Sequence, residues 1–233
     1  MIWQDYIPEN IRGLYEIRDY LHAAAILRNE FATEFGELCS MLGNFRITTQ
    51  DILDKGGNES NIPKRVSAAL RPKKWKSEQL RAEVMVDGKP VSEDTHFIDY
   101  VKNRVAFDLE WNSKDQTFDR DLYAFRAFFE YRKISVGVIM TRSNDLDVVF
   151  DRLGTYIEDG KEKVLKAKYG ASTTHVGKLW PRLEAGRNGG CPVLVFGITS
   201  KLISDWEGHE KNIEPDNRSA RQTRRKYLPH GPG

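Results

Sequence analysis

Three carboxylates in the sequence have spacings that can bring them to one edge of a β-sheet. Across residues 104–111 apolar side chains alternate with polar ones, so that Asp108 and Glu110 share one face of a predicted strand. Asp99 precedes a short polar break at residues 102–103, where a tight reversal would lay its strand beside the second. Because three clustered acids repel one another, and because carboxylate and carbonyl oxygens suit hard cations, the pattern indicates a site for one or two Mg²⁺ ions.

The same acids are also compatible with the solvated face of a half-exposed strand. The alternation argues for a strand, but by itself it does not argue for a site. The surrounding sequence therefore has to decide between the two interpretations.

Two further motifs accompany the acids, Asp119-Arg120-Asp121-Leu122 and Ser172-Thr173-Thr174-His175. Together with Asp99, Asp108 and Glu110 they resemble the type II restriction endonucleases of the BglII and BstYI group, relatives of BamHI. The resemblance covers roughly residues 55–200. Members of this group carry a variant of the PD-(D/E)xK nuclease signature, in which an Asp is followed nine residues later by an acid, then a spacer and Glu or Gln. The middle acid is more often Glu in these enzymes, so Asp108 is one methylene shorter than usual.

The resemblance implies an α/β fold with a restriction-endonuclease-like core, in which helices flank a central mixed β-sheet. It implies a Mg²⁺-dependent type II restriction endonuclease that hydrolyses double-stranded DNA at a short palindromic site and leaves 5′-phosphate and 3′-hydroxyl ends. Asp99, Asp108 and the backbone carbonyl of Leu109 would hold the metal, while Glu110 would orient or deprotonate the attacking water. The implied partners are a second copy of the chain and a cognate DNA methyltransferase in the same cell.

Two polar segments are candidates for contacts with DNA. The first lies at the amino end of a predicted helix, where the helix dipole favours an anion. The second combines hydroxyl, imidazole and ammonium groups, which suit bases and phosphates, and in the similar family the corresponding stretch approaches the DNA. The second segment could equally provide a Ser/Thr cap for a helix over residues 176–183. The candidates are Asn112, Ser113, Lys114 and Arg120 in the first segment, and Ser172, Thr173, Thr174, His175 and Lys178 in the second.

Local patterns predict the elements that position these residues. Two nearly continuous apolar runs, at residues 134–140 and 192–198, predict central strands that are buried on both faces. A weaker pattern predicts a helix over residues 145–153. Residues 14–27 fit neither period well: Ala23-Ala24-Ala25 favours a helix in the second half, and the resemblance favours a strand in the first. We also expect a helix from an N-cap at Thr33 to Gly43-Asn44, a helix from a cap at Ser60 to before Pro72, a strand over residues 80–86 with a turn at Asp87-Gly88, and a helix that carries Phe118, Leu122, Phe125, Phe128 and Phe129.

Length and charge limit the architecture. A chain of 233 residues can bury one core, so we expect a single endonuclease domain at residues 1–204, with its catalytic core at about 55–200, and a basic, flexible tail at 205–233. The balance of 36 basic and 34 acidic residues hides basic clusters at residues 64–81 and 218–226, either of which could contact phosphates. Because neither a membrane-spanning run nor a signal-peptide pattern is present in the sequence, we expect a cytoplasmic protein without a membrane partner.

Two other functions remain open at this point. A structure-selective or repair nuclease would use the same three acids but would cut at junctions or lesions. A DNA-binding module would carry the acids as structural residues and would not cleave. Metal-dependent cleavage at one sequence separates the restriction endonuclease from both.

Overall fold

A six-stranded mixed sheet forms the centre of the protein in the computed structural model, which describes residues 2–54, 60–92 and 94–206. The strands are β1 (Tyr15–Tyr20), β2 (Lys76–Gln79), β3 (Glu83–Val86), β4 (Lys89–Ser92), β5 (Phe97–Lys102), β6 (Val105–Glu110), β7 (Val136–Arg142), β8 (Thr155–Glu158), β9 (Lys161–Val164) and β10 (Val193–Ile198). The α-helices are α1 (Glu9–Arg12), α2 (Ala23–Glu30), α3 (Ala32–Asn44), α4 (Thr49–Leu53), α5 (Asn61–Leu70), α6 (Thr117–Glu130), α7 (Asp147–Leu153), α8 (Leu165–Lys168) and α9 (Val176–Glu184). Short 3₁₀ helices occur at Trp3–Tyr6, Arg71–Lys73, Asn144–Leu146 and Ser200–Leu202.

The strand order in the central sheet is β1-β10-β7-β6-β5-β2. Strands β10, β7 and β6 run parallel, whereas β1, β5 and β2 pair antiparallel with their neighbours. The hairpins β3–β4 and β8–β9 lie outside this sheet. The predicted α/β fold, a mixed sheet flanked by helices, is confirmed.

Helices cover both faces of the sheet. On one face α6 and α9 pack on β7 and β10, and on the other α2, α3 and α5 enclose a second apolar cluster. Helix α6 approaches β7 closely because Gly137 has no side chain: a Cβ there would overlap the ring of Phe125. This contact fixes the height of α6 above the strand that carries Asp108 and Glu110, because β6 and β7 are neighbours.

The helix predictions are largely confirmed. Strand β1 precedes α2 as expected, and the predicted α6 stripe is buried except for the partly buried Phe129. Ser60 is the N-cap of α5, although its side chain makes no capping bond. The predicted cap at Thr33 is wrong, because α3 begins at Ala32 and its N-cap is Phe31, which is also the C-cap of α2.

The two central-strand predictions are correct in type, with starts that lie one or two residues later than expected. Strands β7 and β10 are buried along their whole length, as predicted, but β7 begins two residues later than expected. The single strand predicted at residues 80–86 is wrong. Leu80 leaves the sheet because its backbone N–H and C=O both bond to Thr95, and β3 starts only at Glu83. The turn at Asp87-Gly88 is confirmed, with positive φ at both residues.

The first two residues of the predicted tail, Asp205 and Trp206, are held against the rest of the fold. Asp205 accepts bonds from the backbone and hydroxyl of Thr49 at 2.8 and 2.7 Å, and Trp206 packs against the core. The rest of the predicted tail, including the basic cluster at residues 218–226, lies outside the described residues. No helix in the described part of the chain is long and apolar enough to cross a membrane.

Candidate active site

The hairpin of β5 and β6 places Asp99 directly opposite Asp108. The chain reverses at Asn103 and Arg104, which both have positive φ (43° and 69°), one residue later than predicted. Arg104 therefore belongs to the turn and not to the strand. The resulting register pairs Tyr100 with Phe107, and the next residue on each strand is a site acid.

The backbone ladder between β5 and β6 ends where these two acids begin. The last paired residues are Tyr100 and Phe107. Beyond them the N–H of Asp99 donates to Asp108 Oδ1 at 2.7 Å, and the backbone of Leu109 bonds to the Asp99 carboxylate. Side chains thus replace the ladder at this point, and carboxylate oxygens line the place where the two strands part.

Glu110 extends the cluster by one step along β6. Its side chain is 7 % exposed, it accepts a hydrogen bond from Ser113, and it lies within hydrogen-bonding reach of Asp121. Two carboxyl groups so close are stable only if one holds a proton or a cation neutralises them. The three motif acids predicted from the sequence are therefore brought together, and a fourth joins them.

Asp121 was missed as a site residue by the sequence reasoning. It lies on α6 and is only 3 % exposed, next to the apolar positions Phe118, Leu122 and Phe125. An acid on the buried stripe of an amphipathic helix is unusual, since burial of a charge is costly unless it is compensated. That position in the helical pattern was the signal that could have found it.

Arg120 supplies positive charge at the rim of the cluster. Its Nε and Nη2 donate to Asp121 Oδ1 at 3.2 and 3.1 Å, and Nη2 lies 3.8 Å from Glu110 Oε1. The Arg120 side chain remains 45 % exposed. It can therefore meet an anionic ligand from the solvent side while its guanidinium is anchored.

Burial raises the pKa of every acid in the cluster, and repulsion by neighbouring acids raises the pKa of Asp108, Glu110 and Asp121 further. Burial, followed by the charges of Asp121 and Asp99, raises the pKa of Asp108 well above its usual value. Burial and then Asp121 raise the pKa of Glu110 to about 8, and burial raises the pKa of Asp121 to about 6 against the effect of Arg120. Asp99 is exposed at the edge of the cluster, yet partial desolvation raises its pKa also. Such a cluster attracts cations and protons strongly.

The donor set fits a hard divalent cation. Within residues 2–54, 60–92 and 94–206, Asp108 Oδ2, Glu110 Oε2 and Asp121 Oδ2 are buried without a hydrogen-bond partner. Unpartnered buried carboxylate oxygens are costly, and oxygen donors are those that Mg²⁺ prefers. Among the same residues, however, no three acidic, histidine or cysteine side chains are already arranged to hold an ion. The chemistry of the donors fits, but their convergence is incomplete.

The two segments predicted to contact DNA lie side by side next to the acids. Lys114 and Thr173 form an antiparallel bridge, and the N–H of Thr174 donates to the carbonyl of Ser113 at 2.9 Å. The Thr174 hydroxyl lies 3.3 Å from the backbone carbonyl of Glu110. The first and second polar segments are thus joined by backbone hydrogen bonds into one continuous surface.

The candidate side chains of these segments differ in accessibility. The hydroxyls of Thr173 and Thr174 are buried and bonded within the chain, so they are directed inward and not to solvent. His175 is the N-cap of α9 and makes no capping side-chain bond, so the alternative of a Ser/Thr cap is wrong. Its Nδ1 lies 3.1 Å from Asn144 Oδ1. The remaining candidates are accessible to solvent, namely the exposed Lys114 and Ser172 and the partly buried Asn112, Ser113 and Lys178.

Arg142 ties the second segment to the end of β6, and sequence reasoning gave no signal for it. The side chain is 1 % exposed, with Nε donating to the carbonyl of Trp111 at 3.1 Å and Nη2 to Thr173 Oγ1 at 2.6 Å. Its guanidinium lies over the rings of Phe150 and Tyr169, at 5.4 and 5.1 Å from their centroids. The buried Arg142 side chain therefore links Trp111, just before the first polar segment, to Thr173 in the second.

Comparison with known proteins identifies a family. The family model described as “Restriction endonuclease BglII/BglIII” matches residues 15–198. The match begins at the first residue of β1, ends at the last residue of β10 and so includes every acid of the cluster. A search of curated proteins returned no match.

Proposed function

The chain belongs to the BglII/BglIII family of restriction endonucleases and is a type II site-specific deoxyribonuclease, and from that premise we propose that it hydrolyses both strands of a short palindromic DNA site with Mg²⁺ at the acid cluster. The observation that carries this proposal is the pair of buried, unpartnered oxygens on Asp108 and Glu110, beside Asp99, where β5 and β6 part. A purely structural cluster would have its oxygens paired. A bound cation would coordinate these free oxygens.

The motif residues have distinct roles in this proposal. Asp99, Asp108 and the backbone carbonyl of Leu109 would hold one Mg²⁺ ion, and the remaining acid oxygens allow a second. When bound, the cation polarises the scissile phosphate and lowers the pKa of a coordinated water. Glu110 would orient that water or take its proton. The products carry 5′-phosphate and 3′-hydroxyl ends.

The DNA approaches through the joined polar segments. Lys114 and Lys178 provide charge for phosphates, and Asn112, Ser113, Ser172 and His175 provide donors and acceptors for base edges or backbone. Thr173 and Thr174, whose hydroxyls are bonded internally, hold this surface in shape. Arg120 contacts phosphate at the rim of the acid cluster.

A palindromic substrate calls for a homodimer. One copy of the chain per half-site matches the two-fold symmetry of the DNA, and each copy then cuts one strand. The cell would protect its own sites with a cognate DNA methyltransferase. Sedimentation of the protein with a duplex of its site tests the assembly: we expect two chains per duplex, and one chain per duplex would contradict the dimer.

The proposed specificity is tested on a whole genome. Purified wild type and Asp99→Ala protein are incubated with an unmethylated phage genome and Mg²⁺, and all fragment ends are sequenced. We expect discrete ends that share one palindrome from the wild type and intact DNA from the variant. Ends without a common sequence would contradict the palindromic site and favour a structure-selective nuclease. Equal cutting by Asp99→Ala would contradict the assignment of the acids.

A further inference from the structure

Asp121 and Arg120 form a pair of unequal burial at the edge of the acid cluster. Adjacent residues of a helix point about 100° apart, so Arg120 must fold back along α6 to bring its guanidinium to Asp121 Oδ1. The carboxylate is 3 % exposed while the Arg120 side chain is 45 % exposed. Packing in the core therefore fixes Asp121, and Asp121 in turn holds the exposed Arg120.

The anchored guanidinium occupies a useful position. Its Nη2 lies 3.8 Å from Glu110 Oε1, so the positive charge is aimed at the cluster and not into solvent. Phosphate approaching four carboxylates meets strong repulsion, which a fixed cation at the rim offsets. An arginine free to move would have to lose its side-chain entropy when it contacts the phosphate. Holding it in place beforehand removes that cost.

On the basis of the proposed function, we propose that Asp121 is a positioning residue that holds Arg120 against the scissile phosphate. Arg120 touches the substrate, and Asp121 acts through Arg120. The proposal differs from a role for Asp121 as an additional base or metal ligand, because either of those would act independently of Arg120. It differs from a purely structural role, because a structural residue would affect stability whether or not Arg120 is present.

A double-mutant cycle tests this dependence. Single-turnover cleavage rates at saturating DNA and Mg²⁺ are measured for wild type, Arg120→Ala, Asp121→Ala and the double variant. We expect each single variant to lose about 10- to 100-fold in rate, the range of a charge-assisted hydrogen bond. The double variant should be no slower than Arg120→Ala alone, because Asp121 then has nothing to position.

Asp119→Ala is the matched control. Asp119 lies on the same helix and pairs with Arg182 and Arg187, away from the acid cluster. Its effect on the rate, whatever its size, should multiply with that of Arg120→Ala. Asp121→Asn is the conservative variant: the amide oxygen still accepts from Arg120, so we expect it to retain more activity than Asp121→Ala. If Asp121→Ala does not fold, Asp121→Asn and its double variant with Arg120→Ala complete the cycle.

DNA binding without metal gives a second readout. In EDTA, the affinity for site DNA is compared with that for the same DNA carrying a neutral methylphosphonate at the scissile position. Relative to wild type, Arg120→Ala and Asp121→Ala should both shift this ratio about 10-fold towards the neutral DNA, since each has lost the contact to the phosphate charge.

The outcomes separate the inference from the function on which it rests. Independent, multiplicative losses in the cycle, or wild-type cleavage by Asp121→Ala, would overturn the positioning role while leaving the nuclease intact. An unchanged methylphosphonate ratio in both variants would overturn the phosphate contact. A wild type that cuts no DNA with Mg²⁺ would overturn the proposed function, and this inference with it.

Discussion

Replacing Glu110 by glutamine is expected to stabilise the metal-free protein at high pH. Burial and the charge of Asp121 raise the pKa of Glu110 from 4.5 to about 8 in the fold. The folded state therefore binds more protons than the unfolded chain between these pH values. As a result, the free energy of unfolding of the wild type falls as the pH rises through this window. The amide side chain of the Glu110→Gln variant carries no charge to be desolvated and keeps a similar shape.

The magnitude follows from the size of the shift. Each pH unit corresponds to about 1.36 kcal/mol, so ionising Glu110 in the fold costs up to about 5 kcal/mol at pH 8. Asp108 and Asp121 share the repulsion and relax when Glu110 is neutral. We therefore expect Glu110→Gln to be more stable than the wild type by on the order of 2 to 5 kcal/mol at pH 8, and by much less at pH 5.

Urea unfolding in EDTA at pH 5, 6, 7 and 8 measures this difference. Glu83→Gln, on the exposed β3 strand, is the control and should follow the wild type at every pH. Mg²⁺ should lessen the fall in wild-type stability, because an ion that binds the folded cluster neutralises it. A Glu110→Gln protein that loses stability with pH as steeply as the wild type, or that is less stable than it at pH 8, would refute the reasoning.

Three further substitutions probe the cluster and its support. Asp108→Ala should lower the cleavage rate by at least about 100-fold. In EDTA the variant should bind DNA as well as the wild type or more tightly, because repulsion of the phosphate is relieved. Gel-shift titration measures this binding, and weaker binding by the variant would contradict the prediction. Gly137→Ala should lower the free energy of unfolding by about 1–3 kcal/mol, because the new Cβ overlaps Phe125, and urea unfolding with no loss would contradict the close packing. Arg142→Met should cost about 1–3 kcal/mol by the same measurement, because it leaves the buried carbonyl of Trp111 without its donor, and an unchanged stability would show that this bond contributes little.

The parts of the site that follow local patterns could be predicted from the sequence. Alternation along β6 put Asp108 and Glu110 on one face, and the polar break before it placed Asp99 on the neighbouring strand. The first prediction depends on the two-residue period of a strand, which the sequence carries directly. The second depends on the polar turn between the strands, which lies one residue later than predicted. The apolar runs of β7 and β10 were equally informative because both faces of a central strand are buried.

The parts that depend on distant contacts could not be predicted. The place of Asp121 on the buried stripe of α6 was visible in the sequence, but its contact with Glu110 was not, because that contact depends on how closely α6 packs on β7 at Gly137. The hydroxyls of Thr173 and Thr174 looked suited to DNA, but they are buried by Arg142 and by the end of β6, which lie far away in sequence. Residue type and spacing hold no information about such long-range partners.

The most direct test of the central claim is the dependence of the single-turnover cleavage rate on Mg²⁺ concentration, for wild type and Asp99→Ala at saturating DNA. If the carboxylates between β5 and β6 hold the ion that activates water, the wild-type rate is negligible in EDTA and rises to a plateau with Mg²⁺. The variant, which binds the same DNA, should stay near the EDTA rate at every concentration. Wild-type cleavage in EDTA, or a variant that reaches the same plateau, would contradict the assignment of this cluster as the catalytic site.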